Sequence, residues 1–380
     1  IMGDANSMAA GTTGGNDWIT GGSEIAGNAN GISNVLYGDA LALDAGTTGG
    51  NDRITGGSGF GVSNVMYGDA FFVNSGSRGG DDRITGGANA KNSLYGDAET
   101  LWGVGGSDTL TGGDGSTRNQ LYGDALDMFT TAVGGDDVLT GGAGTTYLNF
   151  ILGDAYTMVA GTTGGDDRIT GGDDSQSNTA YGDAVVIDAG AVCGNDSLTG
   201  GANTVISNAL YGDAYDLWSD GGNDTLIGGA NATINFLHGD AYTMYTGATG
   251  GDDILIGNDF CQDNQLYGDA AVMLDGTIGG DDTLISGRGF DSMTGDSVNK
   301  GANVTTGADT FVFAPRNGQD AISDFEIGKD LIDLAAYGYD DISDFTVLVS
   351  GGDSVLSFTA ADDVTVLGVT GLTNADFVFA

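Results

Sequence analysis

The sequence predicts an all-β fold, a parallel β-solenoid of about ten coils with a small β-rich cap at its C-terminal end. Three observations lead there. A unit of about thirty residues recurs from Ile1 to about residue 300. Within each unit, apolar residues alternate with polar ones at period two. Glycine accounts for 72 of 380 residues and proline for 1, so tight corners are abundant while linker-like disorder is not. A helical reading fails, because glycine recurs too often and no period near 3.6 is present.

Two marks define the unit. The first is Gly-Asp-Ala, with its aspartate at Asp4, Asp39, Asp69, Asp97, Asp124, Asp154, Asp183, Asp213, Asp240 and Asp269, and a weaker copy at Asp296. The second is a Gly-(Asn/Asp/Ser)-Asp turn ending at Asp17, Asp52, Asp82, Asp108, Asp137, Asp167, Asp196, Asp224, Asp253 and Asp282. The step from first mark to second is 13 residues in eight copies and 11 in two, whereas the return varies from 14 to 22. Fixed length belongs to scaffold and variable length to loops.

Three short arms follow. Arg53-Ile54-Thr55 and its copies carry one inward apolar column, Val35-Leu36-Tyr37 and its copies a second, and Met8, Leu43, Val73 and their equivalents a third. One unit cannot bury these residues alone, but a stack can. At ~4.8 Å per coil, ten coils make a rod on the order of 50 Å long.

The formal charge of −43 excludes a nucleic-acid partner, since phosphate affinity comes from Lys and Arg. Of 53 acidic residues, only Glu24, Glu99 and Glu326 are glutamate. Aspartate suits tight turns and sets its carboxylate beside backbone carbonyls. In a parallel stack the two aspartate columns become like-charge ladders. Each neighbouring pair repels by roughly 1 kcal/mol in water and by several at lower dielectric. Oxygen ligands without histidine or cysteine favour Ca²⁺. Calcium ions at the corners are therefore expected.

These corners resemble the Gly-Gly-x-Gly-x-Asp-x-φ-x nonapeptides of RTX (hemolysin-type) calcium-binding repeats, which form a parallel β-roll. Gly50-Asn51-Asp52-Arg53-Ile54-Thr55-Gly56-Gly57 carries the match, and Cys193 replaces the first glycine in one copy. About eleven extra residues per unit separate this chain from the family's ~18-residue coil. In the other half-repeat Asn34, Asn64, Asn92 and their equivalents to Asn264 hold the family's aspartate position, which only Asp291 restores. The resemblance implies calcium at the Asp52 edge and at Asp291, and leaves open whether the Asn edge is a metal-free amide ladder or is helped by Asp39 and its equivalents.

Gly307-Ala308-Asp309, Gly318-Gln319-Asp320 and Gly328-Lys329-Asp330 resemble the segment closing RTX rolls, and Val366 to Ala380 resembles a type I secretion signal. This implies residues 1–313 as repeats and 314–380 as cap and signal, with export unfolded by type I machinery and folding outside the cell on calcium.

The functional expectation is a secreted, non-enzymatic structural protein of the cell surface, matrix or filaments. Its ends are expected to stack on one another, since an uncapped coil is a pairing template. The alternative is the repeat and secretion module of a larger adhesin or exoenzyme. The chain opens inside a repeat, at Ile1-Met2-Gly3-Asp4-Ala5, with no secretion signal ahead of it, which points to a removed N-terminus or a longer polypeptide. No stretch is apolar enough to span a membrane as a helix. Tyr37, Tyr67, Tyr95 and their equivalents read as an outward packing column, His238 as a substitution within it, and Thr20, Thr55, Thr85 as a structural threonine ladder. A threonine array can also bind ice, but the irregular companion column Trp18, Arg53, Arg83, Thr109 weighs against that. Cys193 and Cys261 are not expected to pair.

Overall fold

Alternating short strands and glycine corners close each unit into one coil of a parallel stack. The computed structural model describes residues 1–24, 31–359 and 361–380. Among these, three sheets run the length of the molecule, with 13, 14 and 10 strands. No α-helix is present among the described residues, only three 3₁₀ turns.

The first sheet, here the Thr sheet, starts with Trp18–Thr20 and Arg53–Thr55 and ends with Leu331–Asp333 and Phe377–Val378. The second, the Tyr sheet, starts with Ile32–Tyr37 and Val62–Tyr67. The third, the Met sheet, starts with Ala42–Leu43 and Phe72–Val73. Register is in phase throughout: Ile54 pairs with Ile84, Asn64 with Asn92, Met128 with Met158. Like residues therefore stack on like, which is why the repeat tolerates so little variation at the inward positions.

Each coil encloses two separate apolar stacks. One lies between the Thr and Tyr sheets and holds Ile54, Met66, Leu94, Leu110 and their equivalents, all fully buried. The other lies under the Met sheet and holds Leu43, Val73, Met128 and Met158 with the alanines of Gly-Asp-Ala. The extra residues after Gly-Asp-Ala thus fold out as a second lobe. The chain enters this lobe at Gly38-Asp39 and leaves it at Gly49 to Asp52, so these two segments form a neck between the stacks.

The tyrosine column differs from the sequence expectation. It is not outward. Tyr67, Tyr95, Tyr122, Tyr181 and Tyr211 are buried, with Phe71, Leu126 and Val185 packed against them. Residues just past Gly-Asp-Ala cover a strand face that alternation alone assigns to solvent. Neighbouring rings stack, Tyr95 on Tyr122 at 4.7 Å between centroids. His238 sits within the ladder, stacked 4.9 Å from Tyr211 and 4.7 Å from Tyr267. Burial lowers its pKa to about 3, so it is neutral. The threonines beyond Thr20, from Thr55 on, are half-buried and line up in register.

At the C-terminal end, Gln319–Ile322 and Asp363–Val366 continue the Tyr sheet in parallel, and an antiparallel pair, Thr346–Ser350 with Asp353–Ser357, finishes it. Both cysteines are free. No helix among the described residues is long and apolar enough to cross a membrane. The long first return from Gly21 to Asn34, whose separate role the sequence leaves open, lies partly outside the described residues.

Candidate metal centre

The neck gathers both aspartate columns. On one side stand Asp39, Asp69, Asp97, Asp124, Asp154, Asp183, Asp213, Asp240 and Asp269, each wholly buried. On the other stand Asp52, Asp82, Asp108, Asp137, Asp167, Asp196, Asp224, Asp253 and Asp282, exposed by no more than 3 %. Asp17 is half-buried at the N-terminal end of this second row.

Backbone amides fix both rows. In the first, each carboxylate accepts the N–H of the glycine across the neck in its own coil, as Gly50 N–H to Asp39 Oδ2 at 2.8 Å and Gly165 N–H to Asp154 Oδ1 at 3.0 Å. In the second, each aspartate accepts from the aspartate one coil earlier. Asp17 N–H reaches Asp52 Oδ1 at 2.6 Å, Asp108 N–H reaches Asp137 Oδ1 at 2.6 Å, and the series runs unbroken to Asp309 N–H on Asp330 Oδ1 at 3.1 Å. One oxygen per carboxylate is thereby used, except in Asp69 and Asp97, where the glycine N–H is shared by both.

The other oxygen is orphaned. Oδ2 of every second-row aspartate from Asp17 to Asp282 is buried without a partner, as are Asp39 Oδ1 and Oδ2 of Asp124, Asp154, Asp183, Asp213, Asp240 and Asp269. These oxygens face close-packed glycine. A Cβ on Gly123 would overlap both Asp137 Oδ2 and the Gly153 carbonyl oxygen. Glycine is required here by close approach, not by backbone angle.

Burial makes the carboxylates hard to ionise. It raises Asp39 to about 6 and Asp52 to about 7, and holds Asp124, Asp137 and Asp154 well above the usual range, with neighbouring aspartates adding to the shift. Buried charges need a partner. The chain supplies one in one place only among the described residues. Lys300 Nζ lies 3.1 Å from Asp296 Oδ2 and 3.0 Å from Asp324 Oδ2, bridging carboxylates of successive coils at the C-terminal end of the neck. Where a protein cation reaches the column, it sits between carboxylates of successive coils.

The Asn edge lies at the opposite end of the Thr and Tyr strands, so Asp39 and its equivalents do not serve it. Asn34 Nδ2 donates to Asn64 Oδ1 at 2.7 Å, and each asparagine passes the bond on to Asn264. Each also closes its own corner, as Asn64 does with the N–H and carbonyl of Gly57, both at 2.9 Å. The amide oxygens are occupied, so this ladder offers no ligand. Asp291 ends it, accepting from Asn264 at 2.5 Å, and starts a short acidic run by donating its N–H to Asp320 Oδ1 at 3.0 Å. Asp291 Oδ2 is again buried and unpartnered. The sequence reading did not assign Asp309, Asp320 and Asp330 to these rows, although their Gly-x-Asp settings carry the signal.

No family model matches the chain, and no curated protein matches it. The stacked coils and Asp/Gly-rich turns are compatible with an RTX-like β-roll enlarged by a second lobe. The residue chemistry fits a hard divalent cation: carboxylate oxygens from two rows, glycine carbonyls between them, and no competing donor except Cys193.

Proposed function

We propose that this β-solenoid is a secreted structural protein whose neck binds a row of calcium ions, and that it belongs with the RTX-type proteins its corners resemble. The observation that carries this reading is the run of buried, unpartnered carboxylate oxygens from Asp17 to Asp282. Asp52, Asp82 and their equivalents would hold the ions from one side, Asp39, Asp69 and theirs from the other. Bound calcium would supply the positive charge that the chain lacks there. Without it, the ladder repulsion opposes compaction.

Calcium at roughly millimolar level, as outside cells, matches extracellular modules of this kind. The C-terminal end supports export before folding. Phe377 is buried and its strand pairs with Leu331–Asp333, so this part of the segment would be free for recognition only before folding. The repeated coils offer scaffold length and surface, which suits a role in a cell-surface or matrix assembly.

The deciding experiment is a calcium titration followed by circular dichroism at neutral pH. Coil in chelator turning to β-structure with calcium is expected. Full β-structure in chelator at neutral pH would refute the calcium reading.

A further inference from the structure

One position on the neck departs from the repeat. The first glycine of the second mark, Gly164 in one coil and Gly221 two coils later, is Cys193 in the coil between. The flanking coils show what a side chain meets there. A Cβ on Gly164 would lie against Asp154 Oδ2 and Asp183 Oδ1, and one on Gly221 against Asp213 Oδ2 and Asp240 Oδ1. The position therefore lies tightly between first-row carboxylates of consecutive coils, and by the same register Cys193 faces Asp183 Oδ2 and Asp213 Oδ1.

Cys193 Sγ and one carboxylate oxygen each from Asp183 and Asp213 lie within 4.8 Å of one another. Asp183 and Asp213 are wholly buried, and Asp183 Oδ2 accepts no hydrogen bond. Two independent features thus meet: a sulfur found at no other neck position, and a buried oxygen without a partner aimed at it. Cys193 itself is half-buried, which leaves a path from solvent.

We propose that Cys193, Asp183 and Asp213 form a single site for a thiophilic divalent cation of the zinc or cadmium class. One sulfur and two carboxylate oxygens suit zinc at about 2.3 Å and about 2.0–2.2 Å respectively, with a fourth position left to water. The remaining neck positions present oxygen alone and do not favour such ions over calcium. Binding releases the thiol proton to solvent. The site needs the fold but does not need the oxygen-only positions to hold calcium.

The test is a cadmium chloride titration of the full chain, in a buffer where circular dichroism shows the β-fold, with calcium in excess. A sulfur-to-cadmium charge-transfer band is expected in the ultraviolet, saturating at one cadmium per chain and displaced by zinc. C193G restores the residue of the flanking coils and should abolish the band with the β-signal intact. C261S should retain it. A folded wild-type chain without the band, or a band that survives in C193G, overturns the proposal. Cadmium at oxygen-only positions gives no such band, so occupancy there does not imitate the site.

Discussion

Asp108 donates its backbone N–H to Asp137 Oδ1 at 2.6 Å, while the other oxygen of Asp137 is buried with no partner. That one residue shows the two-sided character of the neck. Its first oxygen is structural and its second is a standing electrostatic cost.

Acid should replace calcium. Burial raises Asp39 to about 6 and Asp52 to about 7, above the ordinary 3.8. Between these values the folded chain binds more protons than the unfolded one, so metal-free stability falls as pH rises. It is fully present below about 4 and is lost through the range 6 to 7 and above. In chelator, β-structure by circular dichroism should grow as pH drops from 7 to 4. A signal that shrinks over that range contradicts the neck geometry.

Asp137→Asn should move the two states in opposite directions. The amide oxygen can still accept from Asp108, but the buried charge is gone. In chelator the variant should keep β-structure to a higher pH than wild type, a gain of stability, while in calcium it should need a higher ion concentration to fold, a loss. Equal shifts of the same sign in both assays would argue against a cation at this position.

Asn149→Ala breaks the amide ladder in its middle. Asn119 and Asn178 each lose a partner, as does the carbonyl of Gly142. Each buried polar group left unsatisfied costs about 1–3 kcal/mol. Denaturant unfolding in calcium should therefore show a clear loss of stability, with no change in the number of ions bound by equilibrium dialysis.

Gly123→Ala should raise the calcium requirement, since its methyl would overlap Asp137 Oδ2 and the Gly153 carbonyl oxygen. Gly11→Ala is a control of a different kind, because Gly11 has open space and a φ of 82°. Its cost comes from backbone strain of about 1 kcal/mol, and calcium affinity should stay as in wild type. Isothermal titration separates the two.

The solenoid, its three arms and its inward columns were legible because spacing and period-two alternation are local properties. Ile54, Leu36 and Leu43 can be placed on the inside from a few neighbours. The pairing of Asp39 with the Asp52 row was not legible in the same way. It depends on the direction the chain takes between Ala40 and Thr48, which tertiary packing of the second lobe decides. A clue exists in hindsight: a nearly constant 13-residue step is what two segments held in contact require. The tyrosine column failed for a related reason, since whether a strand face meets water depends on what another arm lays over it. Asn64 shows the reverse case. Its recurrence at the family's aspartate position already hinted at an amide ladder, and the bonds to Gly57 and Asn92 show why its oxygen is taken.

The second-row hydrogen bonds all point one way. Each aspartate N–H donates to the carboxylate of the coil that follows it in sequence, and the asparagine amides do the same. The rod therefore has a polarity at its corners as well as in its strands. A coil joining at the N-terminal face finds acceptors already in place, whereas a coil joining at the C-terminal face must bring them. The two faces of any coil are thus unlike, one presenting acceptors and the other donors, and only a coil laid down in the same orientation completes both rows.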